Sequence, residues 1–522
     1  MIFYSTRWGP WAGSDSATLI APTYPLVLAG LTELGIPTLS AARWLNIILS
    51  GGFIFLIGFT ASILSGSAWI ALPVSLMLLV FPVIVDMYSG IMTEPVFLTA
   101  AMGGLLSIVL YLESHRRWYL IGAAILCGIA AVTRFIGIAL LPVGMIALLV
   151  FGLAPWKRKV GEALLYVGIF LIVLLPWNIW YLFHQDTSAL LERPRWTSAW
   201  DYLQPVRAGL VNVLWGWLPF QDALPVQRYI WKAAILALIA ALFFFLLIWG
   251  SFRLYRHSLS QLLADRDFRL MGVMTLYLFA YVTVFIFIYL FRNPPQDIDE
   301  RTLLPLYPPG ILTLFGVLSL LYRSFADRIS RHLILVGGWM ICLCFCLSFA
   351  PRSLALLNRY HQSGGGYTGE AWRSSPTIRA VQNLASTMVI ISNDTGAILF
   401  FTGKLGLEVK ELSLAEPLPE FTRFGDDPSD EIQAQFREQG AALVLFQPAF
   451  YWKMHDLYRD QTDERIAEFT RGLILYGKYA DGEIYFYPVR NKQPDRSRLN
   501  DVCRASTDQP QSQVPASRSS AR

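Results

Sequence analysis

Ten stretches of about 20 mostly apolar residues recur between residues 41 and 350, and this pattern limits the fold more than any other feature. A stretch of that length can cross a bilayer as a helix, with its backbone hydrogen bonds satisfied internally. The stretches are 41–65, 68–88, 93–112, 118–132, 135–153, 161–183, 230–250, 270–291, 304–322 and 332–350. The sequence therefore predicts an α-helical polytopic membrane protein with about ten transmembrane helices.

The composition excludes several other classes of protein. Hydrophobic residues make up 55% of the 522 residues and charged residues only 15%, whereas soluble chains carry about 25% charged residues. This excludes an ordinary cytosolic protein, a disordered chain and a nucleic-acid binder. Five cysteines are too few for a disulfide scaffold, and the Cys342–Cys346 run lacks neighbouring ligands at metal-site spacing. A carboxylate pair such as Asp297 and Asp299 could hold a divalent ion, but we expect no metal and no cofactor.

The distribution of basic residues predicts the orientation in the membrane. If residue 1 lies outside, four short inner connections hold twelve Lys and Arg residues, whereas the short outer connections hold only Arg134, Arg292 and Arg301. Basic residues favour the cytoplasmic side of a membrane. The chain before the first span, the Trp-rich segment 184–229 and everything after residue 350 are then predicted to lie outside.

Changes in sequence character divide the chain into five predicted segments. Strand-like runs at Met388–Ser392 and Ala441–Gln447 alternate with helical stretches, which is typical of a small α/β domain. The segments are an outer loop with a juxtamembrane helix (1–40), a transmembrane domain (41–350), a linker (351–375), an extracytoplasmic α/β domain (376–490) and a disordered tail (491–522).

Ionisable residues beside apolar spans are costly, so each indicates a functional site. Glu94 lies between Thr93 and Pro95 at the start of the third span, where helix capping alone would also explain an acidic residue. Arg134 lies between two apolar runs, where it either reaches lipid headgroups or binds a phosphate. Both interpretations are open for each residue.

The segment from Arg292 to Arg301 is the densest cluster of charge near the membrane, and it also contains Asp297, Asp299 and Glu300. Arg301 lies almost at the start of a span. Its guanidinium can bind two phosphate oxygens at once, which a lysine cannot do. The alternative is a structural ion pair between Arg301 and one of the two aspartates.

Short motifs in the outer segments resemble those of polytopic glycosyltransferases of the C-type (GT-C) fold that use lipid-linked sugars. This superfamily includes protein O-mannosyltransferases and the aminoarabinose transferases of lipid A. The motifs occur in the expected order and are Pro22–Ala29 (PTYPLVLA), Ala42–Asn46, Thr93–Pro95, Thr133–Arg134 and Arg301–Tyr307. The resemblance covers roughly residues 18–350 and is weaker over 376–490.

The resemblance implies an integral-membrane glycosyltransferase of the bacterial cell membrane. Its donor would be a sugar on a polyprenyl phosphate, and its acceptor a protein, a lipid or a glycan at the extracytoplasmic face. A carboxylate in an outer loop would deprotonate the acceptor, and basic residues would stabilise the leaving lipid phosphate. The expected site residues are Asp15 as catalytic base, Arg301 and Arg134 as donor-phosphate ligands, and Glu94, Asp297, Asp299 and Tyr307 as supporting residues.

One departure from the family leaves the base open. Family members usually have a further N-terminal span that ends in an acidic residue, whereas this chain begins at Met1 in what corresponds to the first outer loop. Either Asp15 takes the role of that carboxylate, or Asp15 is an ordinary solvated loop residue and the base is absent.

Two other functions compete with the transferase. A transporter or lipid flippase would place ionisable residues near the middle of the membrane, often in inverted repeats. A non-catalytic binding or assembly protein built on the same scaffold is the other alternative, and the missing first span supports it. The gathering of polar residues at one membrane surface favours the transferase.

Overall fold

The structure, a computed structural model, describes residues 22–65, 68–184, 199–221, 229–254, 265–291, 298–325, 327–385, 388–404, 406–408, 441–446, 470 and 473–486. Asp15, Asp297 and the predicted tail 491–522 lie outside the described residues. The chain separates into two compact units, Met1–Gly366 and Tyr367–Arg522, and each is described by itself.

The first unit is built from helices. They are α1 (Thr23–Glu33), α2 (Thr38–Ser65), α3 (Ala68–Leu79), α4 (Pro82–Ser89), α5 (Glu94–Ser114), α6 (Arg117–Thr133), α7 (Leu140–Phe151), α8 (Trp156–His184), α9 (Ala199–Gly216), α10 (Tyr229–Leu254), α11 (Arg266–Phe291), α12 (Tyr307–Ser324) and α13 (Arg328–Ser363). Short helical turns at Phe135–Ala139, Glu300–Leu303 and Leu304–Leu306 precede α7 and α12.

The helices of the first unit make the chain an integral membrane protein. Among the described residues, seven helices are long and apolar enough to cross a membrane, and α3 with α4 would form an eighth span bent by 62°. Helix α6 and the segment Phe135–Phe151 are apolar but shorter. All ten predicted stretches are therefore largely helical, while the number of ten crossings stays a prediction. Helix α13 continues to Ser363, well into the predicted linker.

The bend between α3 and α4 has a local cause. Pro82 lacks a backbone N–H and disfavours a helical conformation at the residue before it, and Phe81 is indeed extended, with φ −76° and ψ 117°. Ser353 of α13 donates a hydrogen bond to the carbonyl of Val80 at 2.7 Å. This bond satisfies a backbone group at the interrupted helix end.

Two spans form the centre of the first unit. In α5 and in the span containing α12, 72% and 83% of the most apolar window is buried, against 33% or less in the other five spans. Small residues allow helices to approach closely in a membrane. A methyl group at Gly128 of α6 would lie 2.8 Å from Val173 Cβ of α8, for example. Two residues of the site described below, Glu94 and Arg301, lie at the starts of α5 and of the span containing α12.

The second unit contains a five-stranded mixed sheet, with the strand order β2-β1-β3-β5-β4. Its elements are α14 (Pro376–Gln382), β1 (Val389–Ser392), α15 (Thr395–Thr402), β2 (Gly406–Glu408), β3 (Ala441–Phe446), β4 (Ile474–Tyr479) and β5 (Gly482–Phe486). β1 pairs in parallel with β2 and β3, and β5 pairs antiparallel with β3 and β4. The strands predicted at Met388–Ser392 and Ala441–Gln447 correspond to β1 and β3.

Candidate functional site

Glu94, Arg134 and Arg301 meet in the first unit, and we call them the Glu94 triad. Glu94 begins α5, Arg134 follows the last residue of α6, and Arg301 lies in the short helix that leads to α12. Arg134 Nη1 donates to Glu94 Oε1 at 2.5 Å, and Arg301 Nε donates to the same oxygen. The structure therefore brings three sequence-predicted site residues into direct contact.

Burial gives the three side chains of the triad different roles. The Glu94 side chain is 0% exposed and Arg134 is 15% exposed, whereas Arg301 is 46% exposed. A buried carboxylate needs charged or hydrogen-bonding partners, and the two guanidinium groups supply them. One carboxylate neutralises only one of the two guanidiniums, so the triad keeps a positive charge.

Arg301 is the residue of the triad that is most exposed to solvent. A guanidinium carries five N–H donors. In the part of the chain that the structure describes, the hydrogen-bond partner of Arg301 is Glu94, which engages Nε. The carboxylates of Asp299 and Asp86 lie within electrostatic range of the same guanidinium. Since Glu94 engages only Nε, the terminal nitrogens keep N–H donors with which to bind a phosphate, in competition with these two carboxylates.

Arg134 reaches Glu94 because the chain turns sharply after α6. Arg134 is extended, with φ −148° and ψ 130°, and a 3-10 turn follows at once. A methyl group at Gly137 in this turn would lie 2.7 Å from Ala131 Cα and 2.8 Å from Ala130 O, so only glycine fits there. The side chain of Arg134 consequently binds a carboxylate and is not left to the lipid headgroups.

The short helix that carries Arg301 is fixed from two directions. Asp299 Oδ1 accepts a hydrogen bond from Thr302 N at 2.7 Å and so caps this helix. Tyr281 of α11, which is fully buried, donates from its hydroxyl to Thr302 O at 2.5 Å. Asp299 therefore orients the backbone beside Arg301. A direct hydrogen bond from Arg301 to Asp299 is not found among the described side chains.

Side-chain capping by Thr93 does not account for the Thr93–Glu94 pair, although Glu94 does stand in the first turn of α5. The Thr93 side chain makes no capping hydrogen bond to the backbone of α5. Its hydroxyl instead donates to Glu94 Oε2 at 3.4 Å. Both oxygens of the Glu94 carboxylate are therefore engaged by side chains, which fixes its orientation.

Tyr307, a predicted supporting residue, lies in an aromatic cluster. Its ring stacks on Phe81 with centroids 3.9 Å apart, and Trp217 contacts it edge-on at 5.4 Å. The Tyr307 hydroxyl is buried and has no hydrogen-bond partner within the described ranges. The structure gives no contact between Tyr307 and the triad, so its place in the site stays a prediction.

Sequence reasoning gave no role to Tyr24 and Asn46, although both lie within the recognised motifs. Asn46 is 5% exposed, and its Nδ2 donates to Gly90 O at 2.6 Å and to Tyr88 O at 3.2 Å. Tyr24 is 3% exposed and donates from its hydroxyl to Asn46 Oδ1 at 3.2 Å. The sequence signal that could have indicated this role is an amide side chain, Asn46, near the start of an apolar span.

The arrangement suits anion binding next to a buried carboxylate. Across the described residues, no group of three or more His, Cys, Asp and Glu side chains could hold a metal ion. The chemical groups that the site does offer are two guanidiniums, one of them half exposed, and a carboxylate that orients them.

Comparison with solved structures identifies the fold. The backbone is similar to the crystal structure of ArnT from Cupriavidus metallidurans bound to undecaprenyl phosphate, with a TM-score of 0.50 and 13% identity, over 92% of this chain and 90% of that chain. The chain shares the fold of ArnT. A second similar structure is the archaeal oligosaccharyltransferase AglB from Archaeoglobus fulgidus, in complex with an inhibitory peptide and a dolichol-phosphate. Its TM-score is 0.49 at 12% identity, covering 91% of this chain and 67% of that chain.

The similarity to ArnT confirms the predicted GT-C fold, with its many membrane helices followed by a small mixed sheet. No protein-family model matches the sequence, and no curated protein matches it either. At 13% identity to ArnT, the structural likeness establishes the fold alone.

Proposed function

We propose that this protein is an integral-membrane glycosyltransferase that takes a sugar from a polyprenyl-phosphate donor. Its acceptor is a protein, a lipid or a glycan at the extracytoplasmic face of a bacterial cell membrane. The observation that carries the proposal is the Glu94 triad, in which a buried carboxylate holds a half-exposed arginine at the end of a central span. The shared fold with ArnT, solved with undecaprenyl phosphate, supports the same donor class.

Arg301 is the principal ligand of the donor phosphate in this proposal. Its Nε is held by Glu94, so the side chain is positioned before the lipid arrives. Its terminal nitrogens then meet two phosphate oxygens in a bidentate arrangement. As the bond from the sugar to the phosphate breaks, negative charge grows on the phosphate, and a preorganised guanidinium stabilises that charge.

Arg134 contributes the second positive charge, and Glu94 positions both arginines. Without Glu94 the two guanidiniums would repel each other at short range. With it, the three residues by themselves carry one net positive charge and each buried group keeps a partner, while the carboxylates of Asp86 and Asp299 offset part of that charge at Arg301.

The acceptor is activated by a carboxylate, which we assign to Asp15, a residue outside the described ones. The acceptor hydroxyl loses its proton to this carboxylate, and the acceptor oxygen bonds to the anomeric carbon of the sugar. The bond from that carbon to the phosphate oxygen breaks, and the lipid phosphate leaves with the electron pair. The supporting roles of Asp297 and Tyr307 belong to the same proposal.

The orientation of the chain belongs to the proposal as well. The excess of basic residues in the predicted inner connections supports an outer placement for the triad and for the second unit. Because the membrane confines a lipid donor to the leaflet beside the triad, binding costs less translational entropy than capture from solution.

A binding measurement in nanodiscs tests the proposal. Wild-type protein, R301A and the control R158A are titrated with undecaprenyl phosphate, since Arg158 forms a surface ion pair with Glu162 and is 59% exposed. We expect R301A to bind about 10- to 100-fold more weakly, the range for a lost charge-assisted hydrogen bond, and R158A to bind like the wild type. Absence of binding by all three would contradict the proposal and favour a non-catalytic scaffold.

A further inference from the structure

We infer that Tyr24 and Asn46 are positioning residues of the donor-phosphate site, although neither touches the Glu94 triad. Together they hold the short segment between α4 and α5, at whose end Glu94 stands. The inference rests on the proposed function, because it gives these two residues a role in donor binding.

Both N–H groups and the oxygen of the Asn46 side chain have a hydrogen-bond partner. Its two N–H groups face two carbonyls, Tyr88 O and Gly90 O, and its oxygen accepts the proton of Tyr24. A flipped amide would place Oδ1 against two carbonyl oxygens, which is repulsive. The two carbonyls therefore define the orientation of the amide, and Tyr24 must be the donor in the third bond.

The state of the Tyr24 hydroxyl agrees with this assignment. Burial raises the pKa of Tyr24 to about 12, and the hydrogen bond to Asn46 only partly offsets that effect. A tyrosine hydroxyl is protonated at neutral pH even at its ordinary pKa of about 10, and the raised pKa keeps it protonated at higher pH, so it can donate. Tyr24 lies on α1, outside the helices long enough to span the membrane.

The two carbonyls that Asn46 binds lie where α4 ends. The last carbonyls of a helix have no partner inside that helix, and α4 ends at Ser89. Asn46 supplies donors at this end and so directs how the chain leaves α4. Four residues after Gly90 the chain reaches Glu94, so the direction given at Gly90 decides where the carboxylate stands.

A second contact constrains the far side of Glu94. Tyr24 and Leu28 of α1 form a small buried cluster with Ala41 and Ala42 of α2, and Val96 of α5 packs against that cluster. Helix α1 thus constrains the chain on both sides of Glu94. Before Glu94, its Tyr24 binds Asn46, which in turn binds Gly90 O. After Glu94, its buried cluster packs against Val96. This bracketing connects the first described helix to the geometry of the triad.

Directional hydrogen bonds distinguish positioning from simple packing. An apolar contact would hold α1 against α5 just as well, but it would not fix the path of residues 90–93. Buried polar groups that are all satisfied specify a single arrangement. Loss of one bond should therefore loosen the segment that carries Glu94 while leaving most of the packing intact.

The experiment compares Y24F and N46L with the matched control Y166F in nanodiscs. Tyr166 is also fully buried and donates from its hydroxyl to a backbone carbonyl, Leu140 O, at 2.9 Å. Undecaprenyl phosphate binding and amide hydrogen exchange over residues 90–96 are measured for each variant. We expect Y24F to weaken binding about 3- to 10-fold, the range for one neutral hydrogen bond, and N46L to weaken it further. Exchange over 90–96 should rise in both, and Y166F should match the wild type in both readouts.

The outcomes separate this inference from the proposed function. If wild type binds the lipid in an Arg301-dependent manner and Y24F and N46L bind equally well, the positioning role is overturned. It is also overturned if Y166F weakens binding as much as Y24F does, because the loss would then reflect general destabilisation. Equal binding by wild type and R301A would instead overturn the proposed function, and the positioning role with it.

Discussion

Arg301 donates from Nε to the carboxylate of Glu94, a residue 207 positions earlier in the chain. The bond joins the starts of the two most buried spans, those containing α5 and α12. It engages only Nε of a guanidinium whose side chain is half exposed, so the terminal nitrogens keep their donors. This one contact links the architecture of the membrane unit to the proposed capture of a lipid phosphate.

Replacing Arg301 by lysine tests whether the shape of the guanidinium matters as well as its charge. R301K keeps the charge but cannot hold Glu94 with one nitrogen and a phosphate with two others. We expect affinity for undecaprenyl phosphate to fall about 10-fold, less than in R301A. Calorimetric titration in nanodiscs measures the difference. Wild-type affinity in R301K would show that charge alone suffices.

The carboxylate of Glu94 should matter more to stability than a carboxylate whose arginine partner is exposed to solvent. E94Q leaves two guanidiniums without their shared counter-charge, and breaking such a buried interaction costs about 3 kcal/mol or more. The matched control is E162Q, in which the carboxylate is 14% exposed but its partner Arg158 is 59% exposed, so the ion pair is screened by solvent and its loss should shift the unfolding midpoint much less. Thermal unfolding in detergent compares the two variants. Equal shifts of the midpoint would refute a structural role for the triad.

The turn that presents Arg134 depends on a glycine. G137A would push a methyl group against the backbone of Ala130 and Ala131, and we expect a loss of about 1 to 3 kcal/mol in stability. Gly122, on helix α6, is the control because a methyl group there meets nothing within 4 Å. G122A should be neutral or stabilising by up to about 1 kcal/mol. Thermal unfolding compares the two variants. Equal stability of G137A and G122A would contradict the prediction that this turn requires glycine.

The second unit should lose part of its stability in acid through Glu483. Burial acts to raise the pKa of Glu483, but hydrogen bonds from Lys478 and Tyr485 outweigh it and lower the pKa below its usual value. A lowered pKa stabilises the fold above the unfolded pKa of about 4.3, and this contribution disappears as the pH falls through the folded value. E483Q should therefore weaken amide protection in β4 and β5 at pH 7, and the difference from the wild type should shrink as the pH falls below the unfolded pKa of about 4.3. A difference that persisted in acid would contradict the assignment.

The residues of the triad were predictable from the sequence, but their meeting was not. Glu94, Arg134 and Arg301 stand out because charge beside apolar spans is costly. Which of them pair depends on how the spans pack, and the sequence left helix capping, headgroup binding and an ion pair with Asp297 or Asp299 open. In the structure Asp299 binds the backbone of Thr302 instead.

Neutral polar residues and helix breaks were harder to predict from the sequence than the charged residues of the triad. Asn46 carries no charge and lies in an apolar span. Its residue type alone therefore does not predict that it binds two backbone carbonyls more than 40 residues away. The run 68–88 has the length of one span, yet Pro82 divides it into two helices bent by 62°. Apolar length predicts that a segment is helical in the membrane, whereas proline position decides whether it is straight.

The most direct test of the proposed function is an experimental structure of the full chain in nanodiscs with undecaprenyl phosphate. We predict that the lipid phosphate lies within hydrogen-bonding distance of the terminal nitrogens of Arg301, while Nε remains on Glu94. A phosphate bound elsewhere, with Arg301 making no contact to it, would contradict the proposal.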